Sequence, residues 1–316
     1  MNSYEDIKKI ININNTKNLI DHIKNEINTY VDEVNVDVLG NIIAHKKGTG
    51  KKIMIICEIK SAQLIITDIE KDGKIRFSKF SDINTDSLIN RKVILENNLI
   101  GIIRSEHSAE KKQNIEELYI ELFSTEETAL SNTVKLFSFA TLESSIFENN
   151  NLICSDILDD IIPLNLIINA IKTQEFGDND LYFTLVSNLT STKEAAKIVV
   201  RSINPDFLFS VESTETTKNI IMGNGPCIVL KSKNSILAPE LKDLILKIAS
   251  NNDIECQKIV SHENITEFDS LSLLNFGAEF ATICIPIKYK NTINQIVSMK
   301  DVEKTLILLL KTICDL

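Results

Sequence analysis

The chain has 316 residues, 43% hydrophobic and 25% charged, with 34 Lys and Arg against 44 Asp and Glu for a net charge of −10. This is apolar material enough for one large domain or two, and the acidic balance, without a basic block, excludes a nucleic-acid backbone as partner. No stretch reaches the roughly 18 apolar residues of a membrane span, and MNSYEDIKKI lacks the basic-then-apolar layout of a secretion signal, so a cytoplasmic protein is expected.

Apolar spacing predicts helices over Tyr4–Ile10 and Asn15–Tyr30. A strand pair follows from Val34 to His45, turning through Leu39-Gly40-Asn41, and then Ile53–Cys57, an apolar run of the kind buried on both faces. From Leu64 to Ala140 the pattern changes to short strands at hairpin spacing: LIITDIE and KIRFSKF around Lys71-Asp72-Gly73, VILENNLIGIIR through Asn97-Asn98, ELYIEL, and VKLFSF. This texture predicts an all-β, barrel-like module inserted into a domain of different character.

Beyond Asn150 strands and helices alternate. Helices are expected over Asp159–Lys172, Lys193–Val200, Pro239–Ser250 and Val302–Cys314. Strands are expected over Leu181–Val186, Asp206–Val211, Pro226–Lys231, Glu255–Val260 and Glu279–Ile285. The fold class is therefore a layered α/β domain, residues 1–63 plus 151–316, with an inserted all-β barrel-like domain at 64–150. Six widely spaced cysteines without a C-x-x-C read as reduced core residues. Only nine glycines occur, which counts against the tight turns of a fully equipped catalytic centre.

Within LICSDILDDIIPLNLIINAIK, Asp159 and Asp160 interrupt an apolar run where a strand gives way to a helix. An acidic pair there is either an N-terminal cap, favoured by the helix dipole, or a metal or catalytic carboxylate. The residue pattern leaves both open.

The order of segments points further. VDVLGNIIAHKKG before an apolar strand, a D-G hairpin ending IRFSKF, LDD opening a helix, N-P-D before a strand, MGNGPCIVL, and IPIKY before a C-terminal helix together resemble the dinuclear-metal aminopeptidases. These are the tetrahedral, deblocking and glutamyl aminopeptidases, some of them described as cellulase M endoglucanases. The resemblance spans nearly the whole chain. It implies a zinc-aminopeptidase-like α/β domain carrying an inserted barrel, two divalent ions (Zn or Co), and self-association into dimers or dodecamers.

Carried over residue by residue, the resemblance implies a degenerate site. Glu58 stands at the first histidine ligand and Lys60 at its supporting aspartate. Asp159 stands at the bridging carboxylate, followed by Asp160, with Ile161 where the family has arginine. Ser187 and Asn188 stand at the two consecutive glutamates, so the general-base position holds serine. Glu212 replaces a ligand aspartate, Asn291 the last histidine, and Asp269 lies where the family has a residue near the substrate pocket.

Two ions bridged by a carboxylate lower the pKa of a bound water, and a glutamate takes its proton. With both histidines and the glutamate pair replaced, no catalytic set is intact. No cofactor is expected; Glu58, Asp159 and Glu212, helped by Asn188 or Asn291, could hold at most one hard cation through oxygen, the competing arrangement being a salt-bridge network with Lys60.

The function expected is a non-catalytic homologue that binds a peptide or serves as an oligomer subunit, with a related active subunit as one candidate partner. A hydrolase with a rearranged mononuclear site is the alternative. His22, His45, His107 and His262 form no constellation and read as ordinary surface residues. Ser155, Ser187 and Ser213 lack an activating histidine. MGNGP lacks the helix a dinucleotide loop requires, and glycoside hydrolysis has no aromatic platform in a chain with 6% aromatics.

Overall fold

A computed structural model describes residues 3–13, 15–59, 63–79, 84–107, 114–123, 133–173, 176–187 and 191–316. Lys60 and Asn188 lie outside the described residues. The chain opens with helices α1 (Ser3–Ile11) and α2 (Thr16–Ile27), followed by strands β1 (Glu33–Val36), β2 (Ile42–Lys46) and β3 (Lys52–Ile59). The next six strands are β4 (Gln63–Ile69), β5 (Ile75–Lys79), β6 (Lys92–Leu95), β7 (Ile100–Ser105), β8 (Leu118–Leu122) and β9 (Phe139–Leu142). They close into a barrel in the order β4-β5-β8-β7-β6-β9, so no strand edge is left open. Leu64, Ile66, Val93, Ile103, Ile120 and Ala140 fill its interior.

Then come β10 (Ile146–Asn149), β11 (Leu152–Ser155), α3 (Leu158–Thr173), β12 (Asp180–Ser187), α4 (Thr192–Ile203), β13 (Phe207–Glu215) and β14 (Cys227–Lys231). The chain finishes with α5 (Pro239–Asn251), β15 (Gln257–Val260), β16 (Glu279–Lys288), β17 (Gln295–Ser298) and α6 (Met299–Asp315). Their strands join β1, β2 and β3 in an eleven-stranded sheet whose central run is β12-β3-β13-β16, all parallel to one another.

The central strands are apolar on both faces because helices cover both. Ile53, Ile55 and Cys57 of β3 join the core around α3, while Met54 and Ile56 join the core beneath α4. Helix α3 is buried along almost its whole length, which explains why apolar residues surround it instead of forming a stripe. Pro163 lies inside this helix and not ahead of it. Lacking an N–H, it withdraws the donor that the Asp159 carbonyl would otherwise receive.

Three expectations are corrected. VKLFSF is a turn up to its last residue, with Phe137 left-handed at φ 63, and β9 starts only at Phe139. The short strands β10 and β17 carry little apolar periodicity, and β10 pairs with β11 in the large sheet, so that strand of the 64–150 stretch does not belong to the barrel. Tight turns are plentiful despite the scarcity of glycine. Asparagine makes many of them: Asn90, Asn98, Asn150, Asn204, Asn275 and Asn291 all have positive φ. Glycine is indispensable at Gly225, where φ is +86 and a Cβ would approach the Glu255 carbonyl oxygen to 2.2 Å.

Among the described residues no helix is long and apolar enough to cross a membrane.

Candidate ligand-binding cavity

The carboxyl ends of the parallel strands β3 and β13 and the first turn of α3 open onto one cavity of about 390 Å³. This is where open α/β sheets place their ligands. The barrel contributes a wall from Asn84, Ser87 and Arg91, and the segment before β17 contributes Lys290 and Asn291.

Register brings two of the expected carboxylates together. Ser210 pairs with Ile56 between β13 and β3. Two residues further along both parallel strands, Glu212 comes level with Glu58, and both line the cavity. Thr266 donates its hydroxyl to Glu212 Oε1 at 2.6 Å. Nearby thiols register this negative field: burial first, and the Glu212 and Glu58 carboxylates after it, push Cys57 well above its ordinary range.

Asp159 joins the same cavity from α3. It lies in the first turn as expected, yet its carboxylate does not cap its own helix, whose Asp160 and Ile161 amides donate to the Ile157 carbonyl. It is held by Gln295 instead. The Asp159 N–H donates to Gln295 Oε1 at 2.7 Å, while Gln295 Nε2 donates to Asp159 Oδ1 at 2.7 Å and to the Asp156 carbonyl at 3.1 Å. Gln295 is buried at the start of β17. Sequence reasoning missed it; the available signal was a lone amide heading the short apolar strand QIVS. Asp160 also lines the cavity.

Of the remaining expected positions, Ser187 and Asp269 fall elsewhere. Ser187 pairs with Ile59, and Val186 is level with Glu58, so strand alternation turns Ser187 to the opposite face of the sheet. It is fully buried, and its amide donates to Asn41 Oδ1 at 3.0 Å. Asp269 is fully buried too and lies away from the cavity, accepting Ser232 Oγ at 2.9 Å and Asn234 Nδ2 at 3.2 Å. It pins a loop and is no pocket wall, because an unpartnered carboxylate could not sit among Phe268 and Leu271. Asn291 does line the cavity, in a left-handed turn at φ 61. His45 is no plain surface residue: its Nε2 is 2.7 Å from Asp180 Oδ1 and its ring stacks on Tyr182.

Two cations face the carboxylates. Arg91 reaches from the barrel to an ion pair with Asp156, which also accepts the Ser144 and Ser155 hydroxyls. Lys290 donates to the Ser213 carbonyl at 3.0 Å. Among the described residues no three His, Cys, Asp or Glu side chains converge as metal ligands would. The donor set does not fit a two-ion centre either. Such a site needs imidazole and carboxylate ligands around a shared bridge, whereas the residues lining this cavity offer carboxylates and amides and no imidazole.

The family model for M42 glutamyl aminopeptidase matches residues 40–308, most of the chain. The chain belongs to the M42 aminopeptidase family. A putative aminopeptidase of Acetivibrio thermocellus is 28% identical over 309 residues, covering 95% of this chain and 94% of that protein. A lysyl aminopeptidase of Pyrococcus furiosus is 21% identical over 296 residues, covering 87% and 85%. Among solved structures, an aminopeptidase of the archaeon Desulfurococcus kamchatkensis superimposes with a TM-score of 0.90 at 22% identity, covering 99% of this chain and 95% of that one. The TET1 peptidase of Pyrococcus horikoshii, which can assemble into a tetrahedron or a large octahedral shell, superimposes at 0.86 with 23% identity, covering 99% and 100%. The α/β sheet with its closed barrel is thus the M42 fold.

Proposed function

We propose that this M42 chain is a non-catalytic homologue that binds a peptide or amino-acid ligand in the cavity beside Asp159 and acts as a subunit of a self-associating assembly. The observation that carries this reading is the position of Ser187. Hydrolysis needs a carboxylate base beside the reacting water, whereas Ser187, which the resemblance aligns with that base, is fully buried and does not line the cavity. Unblocked aminoacyl-nitroanilides assayed with added zinc, cobalt or magnesium are expected to show no turnover above the Asp159→Ala variant. Robust turnover abolished by that substitution would sink the proposal.

A hydrolase with a single hard cation on Glu58, Asp159 and Glu212 is the competing reading, drawn from the presence of all three carboxylates in the lining of one cavity. It requires stoichiometric metal in the purified protein by elemental analysis. Self-association is supported by the assembling TET relative and is tested by native mass spectrometry, a monomer at micromolar concentration being the contrary result. A related active subunit is one candidate partner in such an assembly. The division into residues 1–63 plus 151–316 and an inserted 64–150 unit belongs to this reading, with β10 reassigned to the sheet. So does a reducing, cytoplasmic compartment, supported by free thiols at Cys57, Cys227 and Cys284 in the core.

A further inference from the structure

Lys290 stands out on the cavity wall. Arg91 spends its charge on Asp156. Lys290 gives one proton to the Ser213 carbonyl and, among the described residues, has no carboxylate within ion-pair distance. An ammonium carries three donors, so two remain for whatever enters.

The backbone around it is held firmly. The amides of Tyr289 and Lys290 donate to the two oxygens of Glu215 at 3.1 and 2.6 Å, and Thr292 Oγ1 closes the turn on the Tyr289 carbonyl at 2.7 Å. Tyr289 and Asn291 on either side are both left-handed, at φ 60 and 61. For non-glycine residues that conformation is strained. The turn therefore fixes the backbone from which Lys290 extends, and the Ser213 carbonyl holds its ammonium.

Opposite in charge is Asp159, whose Oδ1 is held by Gln295 and whose Oδ2 takes no hydrogen bond from a described residue. Among the described residues, Lys290 and Asp159 thus offer the cavity one cation with open donors and one carboxylate with an open oxygen. A purely anionic ligand would leave the Asp159 oxygen without a donor, and a purely cationic one would leave the lysine unmatched. A molecule carrying both charges answers both. At about 390 Å³ the cavity lies near the lower end of the roughly 300–1,000 Å³ range of small-molecule sites, which suits one or two amino-acid residues.

We infer that Lys290 is the carboxylate anchor of a zwitterion site that takes a free amino acid or a dipeptide, the ligand's ammonium resting on the open oxygen of Asp159. This rests on the ligand-binding reading above and narrows it to ligands with a free C-terminus.

Isothermal titration of the full chain with Ala-Ala, Ala-Ala-amide and N-acetyl-Ala-Ala tests it, on wild type and on Lys290→Gln, which retains a donor for Ser213. Amidation of the ligand is expected to weaken binding to wild type by about tenfold, the scale of one charge-assisted contact. Lys290→Gln should weaken Ala-Ala equally and make amidation neutral. If the amide binds wild type as tightly as the free acid, the anchor is wrong while ligand binding stands. If none of the three binds wild type, both readings fall; if Ala-Ala is recovered as free alanine, non-catalysis falls. Should Lys290→Gln not fold, the comparison of acid and amide on wild type decides alone.

Discussion

Asp159 and Asp301 both stand in the first turn of a long helix, α3 and α6, where exposed amides favour a carboxylate. Asp301 is fully buried, and both its oxygens are taken by the Gly223 and Gly225 amides at 2.6 and 2.8 Å. Asp159 is half-buried, gives one oxygen to Gln295 and faces the cavity with the other. One carboxylate is closed off as part of the frame, and the other is held in position but left open on one side. The difference comes from partners distant in sequence, since both stand in a first helical turn.

Substitutions can break or sharpen this contrast. Asp301→Ala has the largest expected effect, about 3 kcal/mol in urea unfolding, because the buried Gly225 amide and the Gly223 amide beside it lose their acceptor. A cost below about 1 kcal/mol would remove the distinction between the two aspartates. Burial raises Asp301 above its ordinary value of 3.8, only partly offset by the two amides. With the folded value raised, its contribution is fully present below the unfolded value and is lost as pH climbs through the folded one. The stability of wild type relative to Asp301→Asn should therefore shift in the variant's favour as pH rises from about 3.8 through that window.

Arg91→Ala comes next, at about 2 kcal/mol, because Asp156 would keep its charge in a largely buried place without its partner. Differential scanning calorimetry should show the loss. A neutral result would mean that barrel and sheet hold together without this link. Gln295→Ala should cost about 1–2 kcal/mol by leaving the Asp159 amide and the Asp156 carbonyl unpaired, and should weaken ligand binding through a misplaced Asp159. Asp159→Ala has the smallest expected effect on stability, under about 1 kcal/mol, yet should abolish ligand binding by titration. A large loss of stability from Asp159→Ala would assign it to the frame, as for Asp301.

Elements with a full period of apolar residues were legible in the chain: β3, the barrel hairpin around Gly73, α3 and α6 lie where their patterns point. Glu58, Asp159 and Glu212 were legible as a group only through the resemblance, and the parallel register of β3 with β13 gives two of them a physical reason to meet. What stayed hidden depended on partners far along the chain. Gln295 binds a residue 136 positions away, and nothing in QIVS announces it. Ser187 illustrates a subtler miss, because alternation in a strand decides facing, and one residue of register separates the Glu58 level from its own. Asp269 was placed near a pocket by the resemblance alone, and its hydrogen-bond partners Ser232 and Asn234 come from another loop.

The left-handed asparagines have a consequence for the unfolded ensemble. A glycine at Asn90, Asn98, Asn150, Asn204, Asn275 or Asn291 would adopt the native turn with less strain, but it would also give the denatured chain more freedom to lose on folding. With asparagine, part of the cost of a tight turn is moved from conformational entropy into local backbone energy. The denatured chain is therefore stiffer at each turn, and replacing these asparagines with glycine one at a time should give small changes whose sign reports which of the two terms is larger at each corner.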